Sequence, residues 1–271
     1  MITNIIEFLS FSFILKGILA GLIIGIIAPY IGSFIVPKRY ALISDTLSHV
    51  ALLGVSMGVL LGIMPTISAI VVTVVLSILI EKLRSSEKIQ GDTLLAVFLN
   101  ASLSLALIFI SISKNTSINI QSYLFGSITT VTNLELTTIF IVGSIVFFIL
   151  LILTKELIFI TYDEENAIAQ GIPVNIINSV LIASTATIIA LSIQIIGALL
   201  IGALIVLPTI ASSLISRNTL EFRIYAILFG LVAVVSGILI SYSFNLPTGS
   251  VIALICTMEL ILTSLFKKII K

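Results

Sequence analysis

The chain has one histidine in 271 residues, and an aspartate stands four positions before it: His49 and Asp45. On a helix, residues four apart lie on one face, one above the other. A carboxylate oxygen and an imidazole nitrogen brought together in this way suit a divalent transition metal such as Zn²⁺ or Mn²⁺. The pair sits in Lys38-Arg39-Tyr40-Ala41-Leu42-Ile43-Ser44-Asp45-Thr46-Leu47-Ser48-His49, which runs into an apolar stretch. An ionised Asp at membrane depth costs at least ~2.5–3.5 kcal/mol, so such a residue ordinarily has a partner and a task. The plainer reading makes Asp45 a helix cap near the interface and His49 a packed side chain. Two ligands are half of a four-coordinate site, so spacing by itself leaves both readings open.

Two other places bear polar groups of interest. Glu259 lies in the last apolar stretch, where it pairs with a hydroxyl such as Ser241 or Tyr242 or lines a route. The run Asp163-Glu164-Glu165-Asn166-Ala167-Ile168-Ala169-Gln170-Gly171-Ile172-Pro173 predicts a short capped helix. Asp163 is a good N-cap, Glu164 and Glu165 favour the positive end of a helix dipole, and Gly171 suits the position after the last turn. It is either a surface on which a soluble motor pushes or an ordinary loop helix.

The absences matter as much. The chain has no G-x-x-x-x-G-K-[ST], so ATP binding through a P-loop belongs to another subunit if ATP is used at all. With one His it cannot form H-E-x-x-H, and with Cys256 alone it cannot form an intramolecular disulfide. A net charge of +1 without a basic tract gives no reason to expect nucleic acid. Met1–Ser10 holds Glu7 and no basic segment, so the first span is expected to serve as the insertion signal.

The elements that must position these residues are dictated by composition. Of all residues 59% are hydrophobic and 9% charged, with a mean hydropathy of +1.33; a soluble domain carries roughly 25% charged residues. Charge-free windows run over 17–37, 50–80, 93–113, 136–154, 166–216 and 224–258. A crossing needs about 20 apolar residues, so the longer windows hold more than one. Breaks at charges, Pro and polar clusters place spans near 17–36, 46–62, 66–82, 92–113, 135–154, 174–192, 195–215, 224–241 and 249–266. Residues 1–15 read as an interfacial segment. With the N-terminus outside, eleven of the 13 Lys and Arg fall in the cytoplasm, leaving only Lys16 and Lys114 outside, as the positive-inside rule asks. The Glu81–Gln90 connection reads as plain and solvated, and Tyr123-Leu124-Phe125-Gly126 as dipping back into the protein. The expectation is an all-α, polytopic transmembrane bundle of about nine spans, one domain over 1–271.

Within the second span, at about 100° per residue, Asp45, His49 and Ser56 share one side, whereas Gly54, Gly58 and Gly62 lie on the other. The glycines are assigned to helix packing, like Gly17, Gly21 and Gly25 in the first span. Ser56 becomes a candidate for lining the route. Pro208 is expected to kink the seventh span.

Taken together these blocks resemble the permease subunits of bacterial zinc/manganese/iron ABC importers, the ABC-3 family. The resemblance runs through Lys38–Leu42, Ser44–His49 and Gly54, then Leu124-Phe125-Gly126, then Asp163, Ala167, Ala169 and Gly171, and Ile196–Leu200 through Pro208. It implies an inner-membrane homodimer working with two cytoplasmic ATPase subunits and an extracellular metal-binding protein, with no permanently bound cofactor and a divalent metal as the transported substrate. It implies that Asp45 and His49 contact the ion, and that the helix over 163–171, with Asp163, Glu164, Ala167 and Gly171, meets the ATPase. Ser44 and Thr46 stand where the family pattern has glycine and alanine, and Val50 where it has a small residue, so this site is more crowded. The competing expectations are a permease for metal chelates, a proton-coupled secondary transporter using Asp45, His49 or Glu259 as relays, and an intramembrane enzyme. The last is disfavoured by the missing second histidine.

Overall fold

Backbone in hydrocarbon has no water to bond, so each apolar run must satisfy its own amides, and a helix does this within one segment. The computed structural model describes residues 12–86, 90–113, 120–127 and 132–270, and among them there is no strand. In chain order the helices are α1 (Ser12–Ile35), α2 (Ala41–Leu61), α3 (Pro65–Arg84), α4 (Gly91–Ile112), α5 (Ile120–Phe125) and α6 (Asn133–Ile152). Then follow α7 (Thr154–Tyr162), α8 (Glu164–Ala169), α9 (Val174–Ser192), α10 (Ile201–Ile215), α11 (Thr219–Phe244) and α12 (Thr248–Ile270). Eight of them are long and apolar enough to cross a membrane, and α10 is a shorter apolar helix of 15 residues. These correspond one for one to the nine expected spans. The segment 1–11 and Lys88, Lys114 and Lys271 fall outside the described residues.

The interior belongs to α1, α2 and α9, whose apolar windows are 72%, 72% and 67% buried, against 17% for α4 and 22% for α6. Val97, Leu107, Phe140 and Phe148 point outward from those last two helices, as a lipid-facing rim requires. Close helix approach uses small residues. A Cβ added at Gly54 would lie 2.6 Å from Ala69 Cα, and one at Gly58 would lie 2.8 Å from Ser68 Cβ, so this pair seats α2 on α3. Gly62 does not join the stripe. It sits at φ 69°, just past the last turn of α2, and ends the helix with its N–H on Gly58 O and Val59 O. On α1, Gly21 and Gly25 meet Val234 of α11.

The seventh crossing departs most from a plain span. Fifteen residues rise about 22 Å, short of the ~30 Å hydrocarbon core. The gap is filled by residues 193–200, which turn without forming a helix. Their amides are served from α5: Ala198 N donates to Tyr123 O at 2.8 Å, and Leu199 N to Leu124 O at 3.2 Å. In return Ser127 N donates to Gln194 O at 2.8 Å. Tyr123–Gly126 therefore does dip into the protein. Irregular backbone at membrane depth is tolerated only when protein covers it, and Ile193, Ile195, Ile196 and Ala198 are fully buried. The consequence is that α10 starts inside the bundle, not at its edge.

Candidate metal site

Helix α2 begins at Ala41, five residues before the start expected at 46. Tyr40 occupies its N-cap, so Asp45 lies in the second turn and does not cap the helix. A tight turn over residues 36–40 leads in, with Arg39 at φ 60° and Tyr40 N donating to Ile35 O at 3.1 Å. Side chains fix this turn from two directions. Lys38 Nζ donates to Asn178 Oδ1 of α9 at 2.7 Å. The Arg84 guanidinium lies 4.3 Å from the centre of the Tyr40 ring, a cation–π distance. Arg84 in turn holds Glu81 with two hydrogen bonds, Nε to Oε2 at 2.9 Å and Nη2 to Oε1 at 2.8 Å.

That ion pair corrects the expectation of a solvated connection at Glu81. Its residue is 3% exposed. Folding brings the end of α3 under the 36–40 turn, and the charges are kept because they satisfy each other in bidentate geometry.

Asp45 and His49 share the same face of α2 and interact electrostatically. Asp45 is exposed on the single chain and His49 half-buried. The His49 Nδ1 atom is shut away from solvent without a hydrogen-bond partner, an orphan that a cation would satisfy. The hydroxyl residues beside and between them are spent on structure. Ser44, Thr46 and Ser48 are buried, and their hydroxyls bond Ala41 O, Leu42 O and Asp45 O respectively. Thr46 also reaches Leu95 O of α4 at 3.3 Å. Among the described residues no group of three or more His, Cys, Asp or Glu side chains converges. The described part of one chain therefore offers two candidate ligands at this place, Asp45 and His49, and not a full set.

Sequence reasoning missed one neighbour of this pair. Gly202, in the first turn of α10, lies against the Asp45 carboxylate and 3.4 Å, measured from the position of an added Cβ, from Ser44 Oγ. Its only signal in the sequence is a glycine within an apolar run, and the chain has 16 glycines.

The other candidates are placed elsewhere. Ser56 is fully buried and bonds Leu53 O of its own helix at 2.7 Å. On α12, both carboxylate oxygens of Glu259 are closed off from solvent without a hydrogen-bond partner. Ser241 is not that partner, since its hydroxyl is engaged with Leu246 O at 2.6 Å and Thr248 Oγ1 at 3.2 Å.

The short helix α8 forms as its sequence predicts. Asp163 caps it, accepting from Asn166 N at 3.1 Å, and the Asn166 side chain and backbone bonds hold the Asp163 carboxyl below the usual range. At the other end Gly171 takes φ 81°, with Gly171 N on Ile168 O at 2.9 Å and Ile172 N on Ala167 O at 3.1 Å. This double closure is the Schellman motif. Ala167 is buried, whereas Ile168 is 60% exposed alongside exposed Glu164 and Glu165. Burial lowers the nearby Lys38 ammonium to about 8, with the charges of Glu164 and Glu81 pulling the other way.

The model of the ABC 3 transport family matches residues 10–267. The high-affinity zinc uptake system membrane protein ZnuB of Haemophilus influenzae is 30% identical over 258 residues, covering 95% of this chain and 98% of that protein. The manganese import system permease protein ScaB of Streptococcus gordonii is also 30% identical, covering 90% of this chain and 88% of its own. Among solved structures, PsaBC from Streptococcus pneumoniae in complex with Fab superimposes with a TM-score of 0.87 at 28% identity, covering 97% of this chain and 95% of that one.

Proposed function

The chain belongs to the ABC 3 transport family and is the membrane permease of an importer for divalent transition-metal ions; we propose that Asp45 and His49 are the side chains that contact the ion as it crosses. The observation that carries this reading is the pair itself: an accessible carboxylate one helical turn from an imidazole whose Nδ1 has no partner. In a bundle this apolar, a cation needs such groups to replace its hydration shell. Two copies related by a two-fold axis bring two aspartates and two histidines together, a count of four that one chain does not reach.

The rest of the proposed machine rests on the family match and on the form of α8. ATP is bound by separate cytoplasmic subunits. They seat on α8, where the buried Ala167 ties the helix to the bundle and the exposed Ile168 offers an apolar contact. A six-residue helix is unstable alone, and its caps at both ends make it a firm bearing for a push. The N-terminus lies outside and the C-terminus in the cytoplasm, the arrangement that puts α8 on the ATPase side. An external metal-binding protein delivers the ion to the opposite face.

The test is uptake of radiolabelled Mn²⁺ and Zn²⁺ by cells carrying the complete importer. Asp45→Ala and His49→Ala are each expected to abolish uptake while the chain still inserts and accumulates in the membrane. Wild-type uptake in both variants would refute the assignment.

A further inference from the structure

Gly202 is set apart from the other close-packed glycines by what it touches. At Gly54 and Gly58 an added Cβ would meet the backbone or a β-carbon of α3. At Gly202 it would overlap the Oδ1 atom of Asp45 and lie 3.2 Å from the Asp45 Cγ. Resting on the reading of Asp45 as an ion ligand, we propose that Gly202 is a positioning residue, whose missing side chain leaves the Asp45 carboxylate its seat against α10 and so sets how that carboxylate is presented beside His49.

The seat exists because the seventh crossing is broken. Residues 193–200 turn without helix, so the opening turn of α10 falls within the protein, and Gly202 is buried there. On either side of Gly202 the amides are already engaged, Ile201 N with Gly197 O at 3.2 Å and Ala203 N with Leu200 O at 3.1 Å, so what this turn offers an ionised carboxylate is the positive end of the helix dipole.

A methyl group at 202 cannot be absorbed by moving α2 away. Ser44 and Thr46, on either side of Asp45, are both fully buried, and Thr46 is tied to α4 through Leu95 O. The 36–40 turn ahead of them is held by Lys38 on Asn178 and Arg84 on Tyr40. The remaining freedom is the Asp45 side chain, whose alternative is a different staggered rotamer. That swing takes the carboxylate off α10 by far more than the roughly 0.5 Å tolerance of a ligand site. First-row divalent metals differ in geometric preference at similar ligands, so the swing is expected to alter both affinity and the ratio between metals.

The experiment measures binding of Mn²⁺ and of Zn²⁺, each metal alone, to the full-length chain in lipid nanodiscs with its ATPase subunits, by competition with a fluorescent chelator. Gly202→Ala is expected to weaken binding by about 10–100-fold, the range seen when a residue orienting a metal ligand is lost, and to change the Mn²⁺ to Zn²⁺ affinity ratio. In the Asp45→Ala background the same substitution is expected to change nothing further, because the two act through one group. A purely packing role would lower the yield of folded protein and leave both affinities and their ratio at wild-type values, and that result overturns the proposal. If Gly202→Ala does not accumulate in the membrane, the Asp45→Ala/Gly202→Ala pair decides. Restored accumulation identifies the carboxylate as the obstacle, and continued absence overturns the proposal. Wild-type binding in Asp45→Ala itself would instead sink the underlying reading of the site, whatever Gly202 does.

Discussion

Asp45 and Glu259 are both carboxylates within long apolar helices, and their surroundings differ in every respect that matters for a passing ion. Asp45 is exposed on the chain, stands one turn from an imidazole, and rests on the opening turn of α10. Glu259 has both oxygens closed off with no hydrogen-bond partner. An acid is costly in hydrocarbon in either place. What separates them is access from outside the chain and an imidazole one turn away. A place within an apolar helix marks both, and accessibility beside His49 marks only one.

The largest expected effect follows from removing charge without shape. Asp45→Asn keeps the size of the side chain and is expected to cut metal uptake by about 100-fold or more, because an amide oxygen is a weak substitute for an anionic ligand. Uptake near the wild-type level would show that Asp45 serves α10 and not the ion, which would erase its contrast with Glu259. Next comes Glu81, the acid that is buried and paired. Glu81→Gln leaves Arg84 without its counter-charge beneath Tyr40 and is expected to destabilise the chain by roughly 2–4 kcal/mol. The measurement is thermal unfolding in detergent; an unshifted transition would show that the pair is ornamental and that pairing does not distinguish buried acids here.

The contrast was only half legible in the sequence. Hydropathy and charge placed all nine crossings, because a bilayer allows few ways to satisfy a backbone. The caps of α8 were readable residue by residue, since Asp163, Gly171 and Pro173 act on their immediate neighbours. The Asp45–His49 pair was readable because one turn of helix fixes it. Contacts between distant segments were not. Nothing in the sequence announces that Glu81 and Arg84 fold beneath residues 36–40, or that Gly202 faces Asp45. The expected start of α2 lies five residues late for a related reason: the charge of Asp45 reads as a boundary, although α10 gives that carboxylate a place beside the helix.

A smaller effect tests the turn that leads into Asp45. Burial lowers Lys38 from an ordinary 10.5 to about 8. Between those values the folded chain binds fewer protons than the unfolded chain, so this group makes stability rise as pH climbs from about 8 to 10.5, and its cost is fully present below 8. The amplitude is on the order of 2 kcal/mol after allowance for partial exposure. Thermal unfolding of wild type against Lys38→Met across that window is the check. The wild-type curve is expected to rise relative to the variant, and parallel curves would mean that the turn before Asp45 is not held by a buried ammonium.

The smallest effect is expected at Glu259, and it bears most directly on the comparison. A polar group buried without a partner is destabilising, and exchanging it for an apolar side chain of similar length can be neutral or favourable. Glu259→Met should therefore leave metal uptake unchanged and hold or raise thermal stability, by at most about 2 kcal/mol. The variant keeps the length of the side chain and removes its charge, so any role in the ion's path would appear as lost uptake at normal protein levels. Such a loss would place Glu259 beside Asp45 as a second station on the route, reached only when α12 moves relative to α10 and α11. Unchanged uptake with equal or greater stability would leave Asp45 and His49 as the polar groups that the chain maintains for the ion.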